Sequence, residues 1–127
     1  MIGPADSLRP ENFIEFIHSK IFDRTFDKIG LDDEDLLALQ AAVMLDPKRW
    51  PVISKTGGAR KLRFVPRGWP FGKRGALRVI YAYFESHRTV LLVLIYPKRE
   101  KEDITPDEKK LIRKELAEVE AALSQKR

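Results

Sequence analysis

Basic side chains recur at strand spacing in the middle of this sequence. Lys61 and Arg63 are two residues apart in a run that alternates apolar and polar residues, so both lie on one face of a strand, about 7 Å apart. Arg78 belongs to the next alternating run, and Lys98 and Arg99 follow the last apolar run. If the strands pair in register, we expect these five cations to converge on one face of a sheet.

A cluster of guanidinium and ammonium groups can carry out phosphoryl chemistry on RNA without a metal ion. Guanidinium forks bind phosphate through paired hydrogen bonds, and cations stabilise the pentacoordinate phosphate of a cleavage reaction. The reaction also needs a base that takes the 2′-hydroxyl proton and an acid that protonates the leaving oxygen. A lysine crowded by other cations loses its proton more readily and could be the base. Tyr96 and Tyr81 are candidates for the acid, or for stacking on a nucleobase.

Residues 66–75 join two of the alternating runs and mix aromatic with basic side chains. Such a mixture suits single-stranded RNA, and the glycines of this segment allow its backbone to approach a ligand closely. A loop whose tryptophan packs down on the sheet fits the same residues equally well. The candidate RNA-binding residues in and around this segment are Arg60, Arg67, Trp69, Lys73, Arg74 and Lys98.

The net charge of +5 is distributed very unevenly along the chain. Residues 48–101 hold 14 Lys and Arg residues but only two acidic residues, Glu85 and Glu100, whereas residues 1–47 hold four basic and ten acidic residues. A small domain that concentrates so much positive charge repels itself, and such a field favours a polyanionic partner such as nucleic acid. A solvated basic face is the alternative interpretation.

The composition excludes several classes of site. The 127 residues are 43% hydrophobic and 34% charged, which indicates one domain with a packed core. The absence of cysteine excludes disulfides, thiolate metal sites and a cysteine nucleophile. With only His18 and His87, a multi-histidine metal centre is excluded as well, and no cofactor is expected. No apolar run approaches the ~18–20 residues of a membrane span and no secretory signal is visible, so we expect a cytoplasmic protein without membrane association.

Periodicity predicts seven elements in the order β-α-α-β-β-β-α. Residues 12–18 alternate like a strand. Ser19 then caps a helix that Gly30 ends, and the acidic residues from position 32 open a second helix that stops before Pro47.

Three further strands are predicted at residues 61–65, 76–84 and 89–96. They are expected to form an antiparallel meander, with the last strand central because its residues are apolar on both faces. A capping box that begins at Thr105 opens the last helix. The expected fold class is α+β, with a small, antiparallel-rich four-stranded sheet, the helices packed on one face and the cations on the other.

Four stretches, in order along the chain, carry a resemblance to a known family. They read GGARKLR at residues 57–63, GALRVIY at residues 75–81, LIYPKREKED at residues 94–103 and TPDEK at residues 105–109. They resemble the RelE/ParE superfamily of toxins from bacterial toxin–antitoxin systems, in particular its HigB-type, RelE-like branch. The resemblance implies a single toxin domain over residues 12–127, preceded by an N-terminal extension of residues 1–11.

What the resemblance implies for activity is ribosome-dependent, metal-independent cleavage of messenger RNA, which leaves a 2′,3′-cyclic phosphate and inhibits translation. By position, Lys61 and Arg63 match the paired basic residues of the family's second strand, and Arg78 matches the arginine of the third. Arg99 matches the arginine after the last strand. These four residues are the expected catalytic residues. Many RelE-like toxins also have a catalytic tyrosine a few residues later, and residues 101–105 contain none.

The resemblance also implies partners. They are the ribosome with its messenger RNA, and a cognate antitoxin, expected to be an acidic or helix-turn-helix protein encoded by a neighbouring gene. Promoter DNA is expected to bind only through the antitoxin complex. Two other functions stay open on the sequence: a non-catalytic, ParE-like inhibitor of DNA gyrase, and a basic RNA-binding module whose affinity falls steeply with salt.

Overall fold

The computed structural model describes residues 13–70, 75–101 and 103–125. The predicted N-terminal extension, residues 1–11, lies outside these ranges. The elements, in chain order, are β1 (Glu15–His18), α1 (Lys20–Ile29), α2 (Asp33–Leu45), β2 (Arg60–Phe64), β3 (Leu77–Phe84), a 3-10 turn (Glu85–His87), β4 (Thr89–Pro97) and α3 (Pro106–Gln125).

Capping residues set the bounds of the first two helices close to those predicted. The Ser19 hydroxyl accepts a hydrogen bond from a backbone N–H of the first turn of α1, and Gly30 ends α1 in the left-handed conformation. Asp32 and Asp35 cap α2 reciprocally, each side chain accepting the other's backbone N–H, at 2.9 and 3.0 Å. Strand β1 is shorter than the predicted strand of residues 12–18.

The four strands form one mixed sheet in the order β1-β4-β3-β2. The last three strands pair antiparallel as the predicted meander, and β1 adds to β4 in parallel. β4 is therefore an inner strand, flanked on both sides, as its apolar sequence predicted. The fold is α+β, with two antiparallel pairings and one parallel pairing.

Helices cover both faces of the sheet, so the prediction that they pack on one face was wrong. α1 and α2 pack against the face that carries Leu62 and Val79, here called the α1/α2 face. α3 packs through Ile112 and Leu116 against the opposite face, here called the α3 face, which carries Ile80. The reason is that β3 and β4 are apolar on both faces, so each face buries apolar area only if a helix covers it. The alternation of Lys61 and Arg63, on which the prediction depended, belongs to an edge strand alone.

Candidate functional site

Three polar side chains lie side by side across the sheet. Arg63 on β2 pairs with Arg78 on β3, and Arg78 pairs with Tyr96 on β4. Directly paired residues of antiparallel strands have Cα atoms about 4.5–5.5 Å apart and side chains on the same face. We refer to Arg63, Arg78 and Tyr96 as the polar row.

The polar row lies on the α3 face. Tyr96 belongs to the core cluster that α3 completes, and Lys61, which shares the face with Arg63, pairs with Ile80 of the same cluster. The row occupies the end of the face near the N-terminus of α3, since Glu108 in the first turn of α3 influences the Tyr96 phenol. The expectation that the cations occupy a face without helices was therefore wrong, because they share their face with α3.

The polar row contains two buried polar atoms that have no hydrogen-bond partner among the described residues, Arg78 Nη1 and Tyr96 Oη. A buried donor or acceptor without a partner costs about 1–3 kcal/mol. Arg63 and Arg78 also place like charges directly opposite each other across a strand pair, which is destabilising. The row therefore weakens the free protein. An anion bound between the two guanidinium groups would offset their like charges and accept hydrogen bonds from them.

The surroundings of Tyr96 keep its phenol protonated. Burial raises the pKa of Tyr96, the Asp103 carboxylate raises it further, and the Arg78 guanidinium opposes the shift only in part. A phenol with a raised pKa donates a hydrogen bond or a proton at neutral pH and does not act as a base. Lys101 completes this environment, because its Nζ lies 5.8 Å from the centroid of the Tyr96 ring.

Glu108 fixes Lys101 in that position. Its carboxylate accepts hydrogen bonds from Lys101 Nζ and from the Thr105 backbone N–H, and Thr105 Oγ1 accepts the Glu108 backbone N–H at 3.2 Å. This is the predicted capping box of α3. Burial by itself raises the pKa of Glu108, but the hydrogen bonds from Lys101 and Thr105 outweigh it and hold the pKa below its ordinary value. Glu108 is therefore charged at neutral pH and anchors Lys101.

Lys61 faces an acid that the sequence analysis did not identify. Its Nζ lies 3.8 Å from Asp103 Oδ1. This ion pair links β2 to the connection between β4 and α3 and keeps the Lys61 ammonium group beside the polar row. No sequence signal marks Asp103, because it lies in the connection between β4 and α3 and not in a periodic element.

Lys98 and Arg99 lie in the exposed turn that directly follows β4. The turn is closed by a backbone hydrogen bond of 3.2 Å from the Lys101 N–H to the Lys98 carbonyl. Because β4 ends one residue after Tyr96, this turn is at the same end of the sheet as the polar row. Of the four expected catalytic residues, the structure thus brings Lys61, Arg63 and Arg78 to one face and puts Arg99 on the adjoining turn.

Arg60 and Tyr81 lie on the α1/α2 face, away from the polar row. They pair with each other across β2 and β3. Arg60 Nη1 donates to the carbonyls of Lys48 and Trp50 at 2.9 and 2.7 Å, and the fully buried Tyr81 hydroxyl donates to the Pro47 carbonyl at 2.7 Å. Burial raises the pKa of Tyr81 to about 12. Both residues fasten the segment after α2 to the sheet, on the opposite face from the polar row.

The loop residues Trp69 and Arg67 also lie away from the polar row. Trp69 Nε1 donates to the Gly75 carbonyl at 2.7 Å, and its ring packs against the core of the α1/α2 face. Packing of the tryptophan on the sheet is one of the two roles that the sequence allows for this loop, the other being RNA binding. Arg67 is exposed and borders a pocket formed with acidic residues at the start of α2. The remaining loop candidates, Lys73 and Arg74, lie outside the described residues.

Comparison with known families adds no assignment, since no protein-family model matches the chain. Within residues 13–70, 75–101 and 103–125, no group of three or more His, Cys, Asp or Glu side chains is placed to hold a metal ion. In the same part of the chain, no helix has the length and apolar character of a membrane span.

Proposed function

We propose that this chain is an endoribonuclease that cleaves messenger RNA at the polar row and acts as the toxin of a type II toxin–antitoxin system. The observation that carries the proposal is the in-register placement of Arg63, Arg78 and Tyr96, with Arg78 Nη1 and Tyr96 Oη buried and without a hydrogen-bond partner in the part of the chain that the structure describes. Two adjacent guanidinium groups and a protonated phenol are all donors, and phosphate oxygens are the acceptors that suit them best.

In the proposed reaction, a ribose 2′-oxygen attacks the adjacent phosphorus and the bond from phosphorus to the 5′-oxygen breaks. The products are a 2′,3′-cyclic phosphate and a 5′-hydroxyl. Arg63 and Arg78 hold the non-bridging oxygens and stabilise the negative charge of the pentacoordinate phosphate. Tyr96 donates its proton to the leaving 5′-oxygen and regains one from solvent, which also takes the 2′-hydroxyl proton. Lys61 holds the neighbouring phosphate.

Messenger RNA on the ribosome is the target that the four RelE-like stretches favour. In this proposal Tyr96, which precedes Arg99 in the chain, takes the role that a later tyrosine has in many RelE-like toxins. Two helices before the meander and one after it are consistent with a RelE-like fold. The cognate antitoxin then neutralises the protein by covering the α3 face at the polar row, and it contributes the promoter contacts of the complex.

Controlled expression in a bacterium tests the proposal. We would express the wild type, R78A and, as a matched control, R24A, which removes an exposed arginine of α1. Growth, amino-acid incorporation and the 5′ ends of a reporter message would be followed. We expect translation arrest and cuts within translated codons for the wild type and R24A, and neither effect for R78A.

Three other outcomes would overturn the proposal. Growth arrest with intact messages and damaged DNA would favour a gyrase inhibitor. Salt-sensitive RNA binding without arrest would favour a simple RNA-binding module. Full cleavage by folded R78A would show that the nuclease site lies elsewhere.

A further inference from the structure

Helix α3 separates two grooves of different chemistry on its face of the sheet. On the side of β1, the groove is lined by Leu111 and Ile112 together with the acids Glu108 and Glu115. On the side of β2, a groove of about 590 Å³ is lined by Arg113 and by the turn that precedes β2. Arg113 thus lines the β2-side groove, whereas Glu108 and Glu115 line the groove on the side of β1.

The turn that forms one wall of the β2-side groove exposes its backbone. Gly57 and Gly58 both have positive φ, 78° and 114°, a conformation that residues with side chains rarely adopt. A Cβ at Gly57 would lie 3.3 Å from Arg113 Cγ, so the arginine stem runs directly along this backbone. A Cβ at Gly58 would meet nothing within 4 Å. The wall therefore combines open backbone with one guanidinium group.

This groove continues the line of cations that begins at the polar row. Arg63 and Lys61 lie on β2, which begins at Arg60, and Gly58 lies in the turn two residues before that start. Helix α3 follows the same direction, from its first turn near Tyr96 to Glu120, whose carboxylate lies 3.2 Å from His87 Nε2 at the far end of the sheet. A polyanion held at the row can therefore follow β2 into the groove.

Acidic groups close the far end of the groove. Glu85 and Glu120 line it, and each is already paired, Glu85 with Lys48 at 3.0 Å and Glu120 with His87. A phosphate is repelled there, whereas the N–H groups of a nucleobase find acceptors. The apolar lining from Leu116 suits the faces of a base. The charges thus place a phosphate near Arg113 and a base deeper in the groove.

We propose that this β2-side groove is a nucleotide subsite for the RNA strand that the polar row holds, with Arg113 binding the phosphate of the nucleotide it receives. The inference rests on the proposed function, because it assigns the groove to the same strand. It adds a specificity-determining contact outside the reacting atoms. RNA length then affects affinity through Arg113, and the bases that fit the groove are selected there.

Binding of cleavage-resistant, 2′-O-methylated single-stranded RNA tests the subsite. Fluorescence anisotropy would compare a dinucleotide with a strand long enough to span β2, at several salt concentrations. R113E reverses the charge of Arg113, and K114E is its matched control at the next, exposed position of α3. R113M removes the charge but keeps the aliphatic stem along Gly57. Thermal unfolding would show that each variant is folded.

We expect R113E to weaken binding of the longer strand about tenfold or more and K114E to have little effect. R113M should reduce the slope of log affinity against log salt by about 0.7, the value for one phosphate contact on a single strand. None of these variants should change binding of the dinucleotide. Equal losses for R113E and K114E, or an unchanged slope for R113M, would overturn the subsite.

The variant R78A distinguishes failure of the subsite from failure of the proposed function. If R78A leaves the affinity for both RNAs unchanged, the polar row is not the RNA site, and the proposed function and the subsite on its strand both fail. If R78A weakens both and R113M weakens neither, the subsite alone fails. We expect R78A to weaken binding of both the dinucleotide and the longer strand. We expect R113M to weaken binding of the longer strand alone.

Discussion

The two faces of this sheet use the same pair of residue types in opposite ways. On the α1/α2 face, Arg60 pairs in register with Tyr81, and the hydrogen bonds that Arg60 Nη1 and the Tyr81 hydroxyl donate go to backbone carbonyls. On the α3 face, Arg78 pairs in register with Tyr96, and each has a buried polar atom that no described residue contacts by a hydrogen bond. Both pairs consist of an arginine and a tyrosine on neighbouring strands, so their hydrogen bonds are what separates the structural pair, Arg60 and Tyr81, from the pair proposed to bind RNA.

The largest effect expected from this comparison is on RNA cleavage. R78A should reduce the cleavage rate by about 10²–10³, the size of losing one donor to the transition state. R60A should leave the cleavage rate of folded protein unchanged but lower the free energy of unfolding, because two backbone carbonyls lose their donor. Cleavage of a ribosome-bound message and urea unfolding would measure both. Similar cleavage rates for folded R78A and R60A would contradict the assignment of Arg78 to cleavage and of Arg60 to structure.

A second effect concerns stability at high pH. The pKa of Tyr81 is raised from 10.0 to about 12 in the folded protein, so the unfolded chain loses this proton first. The stabilisation is complete below pH 10 and is lost as the pH rises towards 12, by about 2–3 kcal/mol. Y81F should lack this part of the decline. Urea unfolding of the two proteins between pH 9 and 12 would test it, and parallel curves would contradict it.

Removing the hydroxyl group of Tyr81 or of Tyr96 should change the free energy of unfolding at neutral pH in different ways. Y81F should lower the free energy of unfolding by about 1 kcal/mol, because it breaks a satisfied hydrogen bond to the Pro47 carbonyl. Y96F should leave stability equal or higher, because it removes a buried oxygen that has no hydrogen-bond partner within residues 13–70, 75–101 and 103–125. Chemical denaturation of both variants is the measurement. A loss of stability in Y96F as large as that in Y81F would mean that Tyr96 Oη is satisfied.

The smallest effect expected is on the acid beside the site. D103N should raise the affinity for single-stranded RNA up to about fivefold, since an exposed ion pair contributes at most ~1 kcal/mol. The amide oxygen still accepts the Ile104 backbone N–H, which Asp103 accepts at 2.8 Å, so the local structure is kept. RNA titrations at low salt would show the gain, and the gain should shrink as salt rises. Weaker binding by D103N would instead give Asp103 a supporting role in the site.

The helix bounds could be predicted from the sequence because their causes are local. Ser19, Asp32 and Thr105 each act on backbone groups within the next turn, and each appears in the sequence as a capping residue before an amphipathic run. The meander could be predicted because its strands follow one another as alternating or apolar runs, and a short turn joins the last two.

The polar row could be predicted only in part, because it depends on non-local pairing. Lys61 and Arg63 share a face by spacing alone, but the neighbour of Arg78 is fixed by the register of β3 with β4, which shifts between Ile80 and Tyr81. Short-range patterns contain no information about that shift. The sequence did not reveal the contacts of Asp103 with Lys61 and of Glu108 with Lys101. Asp103 lies in the connection between β4 and α3 and Glu108 at the start of α3, and their contacts depend on how α3 packs on the sheet.

The parallel pairing of β1 with β4 has a consequence for when the protein folds. Glu15 pairs with Thr89, 74 residues later, and at ~5–20 residues per second the ribosome needs about 4–15 s to make that interval. Until then β1 has no strand to pair with and the polar row lacks Tyr96. The order of synthesis therefore delays the polar row, and with it the proposed RNA site, until most of the chain exists. For that interval the ribosome that makes this protein carries a nascent chain in which the row is incomplete.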